Sequence, residues 1–132
     1  MAFSRINSAQ LSGLSATGVV VETDINRGLY LFQIVGLPDK SVEESRERVI
    51  SALRNSLDKN PKGENHKVIV SLSPAEVRKE GAYCDVAIAL GYLCATGALV
   101  CDMSDKVFVG ELALNGEVRS VRGILSIAQW AI

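Results

Sequence analysis

Five consecutive residues, Val86-Ala87-Ile88-Ala89-Leu90, offer a helix no polar face to turn toward water. A helix that is apolar all round belongs in the middle of a domain, with other elements on several sides. The approach to it is equally informative. Lys67-Val68-Ile69-Val70-Ser71-Leu72 reads as a strand because β-branched residues fit a pleated, half-buried surface. Ser73-Pro74-Ala75-Glu76 has the form of a capping box with proline at the first helical position, so a helix start is expected there. Lys79-Glu80-Gly81 then breaks the pattern before the buried helix begins. A charged glycine loop that feeds a buried helix is a place where many folds hold chemistry.

The remaining elements follow from periodicity. Residues 14–25, with Val19-Val20-Val21, read as the first strand, and no element is assigned before Leu14. Asn26-Arg27-Gly28 is a turn signal and residues 29–35 resume as strand, so the two are expected to pair as a hairpin. Pro38 ends that strand. Ser41 and Glu44 form a capping box that opens a long helix. Val42, Val49, Ile50, Leu53 and Leu57 keep one stripe of it apolar, and Glu44 with Arg48 is an i,i+4 pair on the solvated side. The string Asp58-Lys59-Asn60-Pro61-Lys62-Gly63 is a polar loop. After the buried helix Gly97 is a plausible left-handed stop. Asn115-Gly116 between alternating residues is expected to be a two-residue hairpin loop. A last helical pattern, Ile124, Ile127, Ala128 and Ala131, runs to Ile132 without a cap. The expected order is β-β-α-β-α-β-β-α, an α+β sandwich of one sheet with helices packed on it. Residues 1–132 read as one domain, cut from a longer chain at its C-terminal end.

Composition removes several classes of function. A chain of 132 residues that is 48% hydrophobic buries one core. Its formal charge of −1 gives no general affinity for polyanions. Residues 86–101 are interrupted by Gly91, Thr96 and Gly97 and fall short of the ~20 apolar residues a membrane span needs, so no membrane partner is expected. Cys84, Cys94 and Cys101 are an odd set without a C-x-x-C pair. They suit three reduced thiols and a cytoplasmic protein better than a disulfide framework or a zinc site.

The motifs that carry chemistry are mostly incomplete. Gly13 and Gly18 have phosphate-loop spacing, but Val19-Val20 stands where Lys-Ser/Thr is required, so no side chain reaches a phosphate or its magnesium. His66 is the one histidine and reads as an exposed loop residue, with no thiol or carboxylate at ligand spacing. Arg46, Arg54 and Lys59 are the candidate DNA contacts. With Arg48, Lys62 and Lys67 they make a basic edge, but interleaved acids favour a solvated face.

At Lys79-Glu80-Gly81-Ala82-Tyr83-Cys84-Asp85-Val86-Ala87-Ile88-Ala89 the chain strongly resembles the N-terminal domain of the ComM/YifB family of magnesium-chelatase-like AAA+ ATPases. Ile34-Val35-Gly36-Leu37-Pro38-Asp39, Glu44-Ser45-Arg46-Glu47-Arg48-Val49, Leu72-Ser73-Pro74-Ala75-Glu76 and Gly110-Glu111-Leu112 carry the same likeness in the same order. The resemblance spans nearly the whole chain. It implies the left-handed βαβ fold shared by Lon protease domains, ribosomal protein domain 2 and small-molecule kinases of the galactokinase type. It further implies a parent chain with an ATP- and Mg-dependent module beyond Ile132, a hexameric ring, and motor work on DNA, such as branch migration in recombination or natural transformation.

Lon-type peptidases use a serine in a Gly-Pro-Ser-Ala-Gly motif and a lysine in a Gly-Gly-Leu-Lys-Glu-Lys segment. By that resemblance Tyr83 replaces the serine and Ile127 replaces the lysine, so no catalytic residue is expected. A dyad of this kind needs a hydroxyl against an amine of lowered pKa. Two residual nucleophiles stay open as an alternative hydrolase: Cys84, for which Lys79 is the available cation, and Ser126 from a shifted alignment. A kinase reading lacks the glycine-rich phosphate loop at the helix start. Arg78, Lys79, Glu80, Gly81, Asp85, Gly110 and Glu111 form the candidate docking loop. Asp85 reads either as an acid favoured by the helix dipole or as an ion-pair partner of Lys79 or Arg78.

Overall fold

A computed structural model describes residues 2–132. The chain runs β1 (Ala2–Ser12), β2 (Ser15–Arg27), β3 (Leu31–Val35), α1 (Lys40–Leu57), β4 (His66–Ser73), α2 (Asp85–Thr96), β5 (Glu111–Leu112), β6 (Val118–Arg119) and α3 (Ile124–Ala131). Four strands form one sheet in the order β1-β2-β4-β3, and β5 and β6 pair separately. β2 lies antiparallel to both β1 and β4, whereas β3 lies parallel to β4, with α1 as the crossover between them. This is the expected α+β arrangement of a sheet with helices packed on it.

Two strand assignments change. β1 carries no hydrophobic alternation because, of its inward positions, Ser4, Ser8 and Gln10 are polar and buried and only Ile6 between them is apolar. Each polar one finds a partner inside. The Ser4 hydroxyl donates to the Gly91 carbonyl, the Ser8 hydroxyl to the Phe108 carbonyl, and the Gln10 amide to the Arg78 carbonyl. The expected hairpin of residues 14–25 with 29–35 does not form. β2 instead turns back on β1 through Gly13-Leu14, with Ser12 opposite Ser15. Gly13 takes φ +64° there, in the left-handed region glycine adopts cheaply. The glycine pair with phosphate-loop spacing is thus a hairpin turn and its second strand.

Caps and turns are corrected too. Asp39, not Ser41, caps α1: its carboxylate accepts from the Val42 N–H at 2.8 Å, and Ser41 lies inside the first turn. No helix starts at Ser73. Ser73 closes β4, the Ser73–Pro74 peptide is cis, and residues 74–77 form a turn closed by the Val77 N–H on the Pro74 carbonyl. Asn115-Gly116 belongs to a three-residue loop rather than a two-residue one. The Gly116 N–H bonds the Ala113 carbonyl and the Ala113 N–H the Glu117 carbonyl, and among the two only Gly116 has positive φ. Gly97 does end α2 in the left-handed conformation.

The inner sheet face carries Ile6, Val19, Val21, Ile25, Phe32, Val68, Val70 and Leu72, packed against Val42, Val49 and Leu53 of α1 and Ala87, Ile88 and Tyr92 of α2. α2 approaches β1 and β2 closely at Gly91. A Cβ there would sit 2.7 Å from the Thr23 hydroxyl. On the opposite face, at the Gly13 end of the β1–β2 pair, Ala9, Leu11 and Ala16 gather with Tyr83 and Ile127. Trp130 of α3 covers Gly18, where a Cβ would meet its ring at 2.8 Å.

Candidate functional site

The charged loop and the head of α2 meet residues 110–112 side by side. The Gly110 N–H bonds the Tyr83 carbonyl at 3.0 Å and the Val86 N–H bonds the Gly110 carbonyl at 3.2 Å. Gly110 is buried, and a Cβ on it would press within 2.9 Å of Val86 and Val118. The sequence placed these segments in one site, and the structure brings them together.

Asp85 is the polar centre of this site and is fully buried. It stands in the first turn of α2, where the helix dipole favours an acid, but its ion-pair partner is neither Arg78 nor Lys79. Arg48 is: its Nε lies 2.6 Å from Asp85 Oδ2 and its Nη2 3.2 Å from Oδ1. The Ser45 hydroxyl donates to Oδ1 at 2.5 Å and the Leu112 N–H to Oδ2 at 3.1 Å. One carboxylate therefore ties α1, α2 and β5 together through four donors. The hydrogen bond from Arg48 to Asp85, more than any other cause, raises the guanidinium pKa above its usual value. Burial alone would penalise such a pair, but every acceptor direction here is used. Ser45 and Arg48 were missed as site residues. Arg48 read as a surface partner of Glu44, and only the crossing of α1 over α2 turns it inward.

Lys79 is also fully buried. Its ammonium donates to the Gly36 and Pro74 carbonyls. Its backbone zips onto the turn after β3, N–H to the Leu37 carbonyl at 3.0 Å and carbonyl from the Asp39 N–H at 2.9 Å. Burial pushes its pKa down, and Glu76 opposes this. Gly36 (φ +110°) admits no side chain, because a Cβ would stand 2.1 Å from the Leu72 carbonyl oxygen. Lys79 is thus a clamp between two turns and is unavailable to a docking partner. Arg78 and Glu80 remain exposed, Gly81 (φ +73°) makes the bend between them and α2, and Glu111 is half-buried, 3.8 Å from Arg119.

Two residues before Asp85, the surroundings change completely. Tyr83 and Ile127, the positions that resemblance assigns to a peptidase serine and lysine, lie in a single apolar cluster with Ala9. Tyr83 is 8% exposed and Ile127 2%. The Tyr83 hydroxyl is spent on the Arg122 carbonyl at 3.0 Å. The structure thus places the two positions together and fills the space between the elements with carbon.

The residual nucleophiles fare poorly. Cys84 is 4% exposed, and burial pushes its thiol up to about 11, with Asp85 adding to the rise and the Ser8 and Lys79 contributions opposing it. A nucleophilic cysteine needs the opposite shift. The Ser126 hydroxyl makes no side-chain hydrogen bond among the described residues, so no base stands against it. His66 is not an exposed loop residue. It opens β4 half-buried, with Nδ1 2.7 Å from the Tyr92 hydroxyl and Nε2 3.6 Å from Glu64. Arg46, Arg54 and Lys59 do not converge. Arg46 pairs with Glu47 and reaches the Phe32 carbonyl, Arg54 lies about 12 Å further along α1, and Lys59 lies beyond the helix end. No helix among the described residues is long and apolar enough to cross a membrane.

Comparison with known proteins agrees with this geometry. Residues 21–132 match the model of a family described as subunit ChlI of Mg-chelatase. The chain is 38% identical to the uncharacterised protein YifB of Escherichia coli over its whole length, and 37% identical to the competence protein ComM of Haemophilus influenzae over 95% of its length. An uncharacterised protein of Mycobacterium bovis is 37% identical over the same share. The chain spans about a quarter of the length of these relatives, 26%, 24% and 24% respectively.

Proposed function

This chain belongs to the family of Mg-chelatase subunit ChlI, as the N-terminal domain of its ComM/YifB members, and we propose that it is a non-catalytic, Lon-like part of an AAA+ motor working on DNA. The observation that carries this reading is the pairing of Tyr83 with Ile127 in one closed apolar cluster. A Ser-Lys dyad needs a free hydroxyl against an amine, and the cluster holds no amine and has its one hydroxyl, that of Tyr83, committed to the Arg122 carbonyl. The polar network around Asp85, by contrast, is complete, so the architecture persists without the chemistry.

In this reading ATP and Mg²⁺ are handled by a module outside these residues, because the glycine pair at Gly13 and Gly18 is built into a hairpin and lacks the Lys-Ser/Thr that phosphate and magnesium require. The parent works in the cytoplasm as a hexameric ring, driving branch migration in recombination or natural transformation. The competence role carried in the name of the Haemophilus relative supports the second setting. The domain itself serves ring assembly or receives DNA or a protein partner, with Arg78, Glu80 and Glu111 as its accessible motif residues.

DNA binding by this chain, beside the full-length protein, on single-stranded and branched substrates at low and raised salt tests the division of labour. Binding by the full-length protein alone is expected if this domain assembles the ring. Salt-sensitive binding by the chain alone, lost on replacing Arg46, Arg54 and Lys59 together, assigns it to DNA handling instead. A full-length protein that binds no DNA and hydrolyses no ATP overturns the motor reading.

A further inference from the structure

Away from the Asp85 network, three sulfur atoms border one open cavity of about 490 Å³ between the end of α2, the loop that follows it and the edge of β1. Cys94 stands in the last turns of α2, half-buried. Cys101 lies exposed in the loop, and Met103 is a buried residue of the same loop. The Cys94 Sγ lies 3.9 Å from the Met103 Sδ. Metal–sulfur bonds of about 2.3 Å place two sulfurs of one coordination shell about 3.8 Å apart in tetrahedral and about 4.0 Å apart in trigonal geometry. The observed spacing is that of an S–H···S contact, and it matches the edge of a sulfur shell.

We propose that Cys94, Cys101 and Met103 bind a soft monovalent cation of the Cu(I) class in a three-sulfur site. The donor set selects the ion. Two thiolates and a thioether are soft ligands that suit Cu(I), and they leave no fourth nitrogen or thiolate for the closed tetrahedral shell a structural zinc takes. Two hard groups nearby are partly engaged. The Asp102 carboxylate accepts from both the N–H and the hydroxyl of Ser104, and the Asn7 side chain donates to the Ser104 carbonyl. Cys101 lines the same cavity as Cys94 and Met103 and is the candidate third sulfur. On binding, two S–H bonds break, two Cu–thiolate bonds and one Cu–thioether bond form, and two protons leave to solvent. The metal centre then carries a net charge of −1, and no oxidant or reductant is consumed.

The test is anaerobic titration of the reduced chain with Cu(I) held by bicinchoninate. One equivalent per chain is expected to transfer, with release of about two protons and an X-ray absorption edge showing only sulfur neighbours. Cys94→Ser and Cys101→Ser should each weaken retention at least tenfold and Met103→Leu by less, while Cys84→Ala changes nothing. Cys101 is exposed, so its variant keeps the fold, and circular dichroism checks the other two. Wild-type retention by Cys94→Ser or by Met103→Leu would show that the altered sulfur is not a ligand and overturn the three-sulfur proposal, as would displacement of Cu(I) by an equimolar Zn(II) challenge.

Discussion

Tyr83 and Asp85 stand two residues apart at the head of one helix, yet their surroundings are opposites. Asp85 faces α1 and β5 and collects four donors. Tyr83 faces β1 and α3 and meets aliphatic carbon, with one hydrogen bond to a backbone carbonyl. The first region keeps a polar network complete. The second is where resemblance puts a catalytic dyad, and there both polar side chains have given way to apolar packing. A domain whose task was hydrolysis would need to keep the second, while a domain whose task is to present a shaped surface needs only the first.

That contrast can be broken most directly at Asp85. Asp85→Ala leaves Arg48 without its counter-charge and orphans the Ser45 hydroxyl and the Leu112 N–H, so urea unfolding should show a loss of about 3–5 kcal/mol. Replacing both partners, as Arg48→Met with Asp85→Leu, should cost clearly less than the two single changes added together. Equal costs would mean that the pair does not act as a unit. Between the two regions lies Cys84, whose thiol sits at about 11 against an ordinary value of 9.0. The unfolded chain loses this proton first, so the stability gained from the protonated thiol is fully present below pH 9 and disappears as pH rises through about 11. A rise of this size corresponds to about 3 kcal/mol. Unfolding followed between pH 8 and 11 should show this decline, flattened in Cys84→Ala.

Gly91 extends the comparison to the strand side of α2. Gly91→Ala would drive a methyl into the Thr23 hydroxyl and toward Ser4, and should lower stability by about 1–3 kcal/mol in thermal or urea unfolding. The smallest effects belong to the solvated face of α1 and the loop that follows it. Arg46→Ala, Arg54→Ala and Lys59→Ala should each shift stability by no more than about 0.5 kcal/mol. A larger loss at Arg46 would show that its contact with the Phe32 carbonyl ties α1 to β3 as firmly as Arg48 ties it to α2.

Much of this fold is legible in the residues. The apolar run after Asp85 forms the buried helix, the stripe Val42, Val49 and Leu53 faces the core, and Val68, Val70 and Leu72 fill the middle of the sheet. What escaped reading did so for physical reasons. β1 buries serines and a glutamine, so no hydrophobic period marks it, and its partners, Gly91, Phe108 and Arg78, are distant in sequence. Asp39 outcompetes Ser41 as a cap because its carboxylate reaches the Val42 N–H from outside the helix. The apparent capping box at Ser73 starts no helix: the Val77 N–H closes a turn on the Pro74 carbonyl, which the buried Lys79 ammonium also reaches.

By itself the sequence determined the composition of the core, the type of most elements and the family likeness, because these depend on residue identity and short spacing. Only the tertiary structure decided that β2 pairs with β1 and β4, that Lys79 is a clamp, that Arg48 rather than Lys79 answers Asp85, and that Tyr83 and Ile127 close one apolar cluster. Pairings of that kind are set by which surfaces can be buried together across long separations, and the cost of leaving a buried charge or N–H unpaired chooses among them.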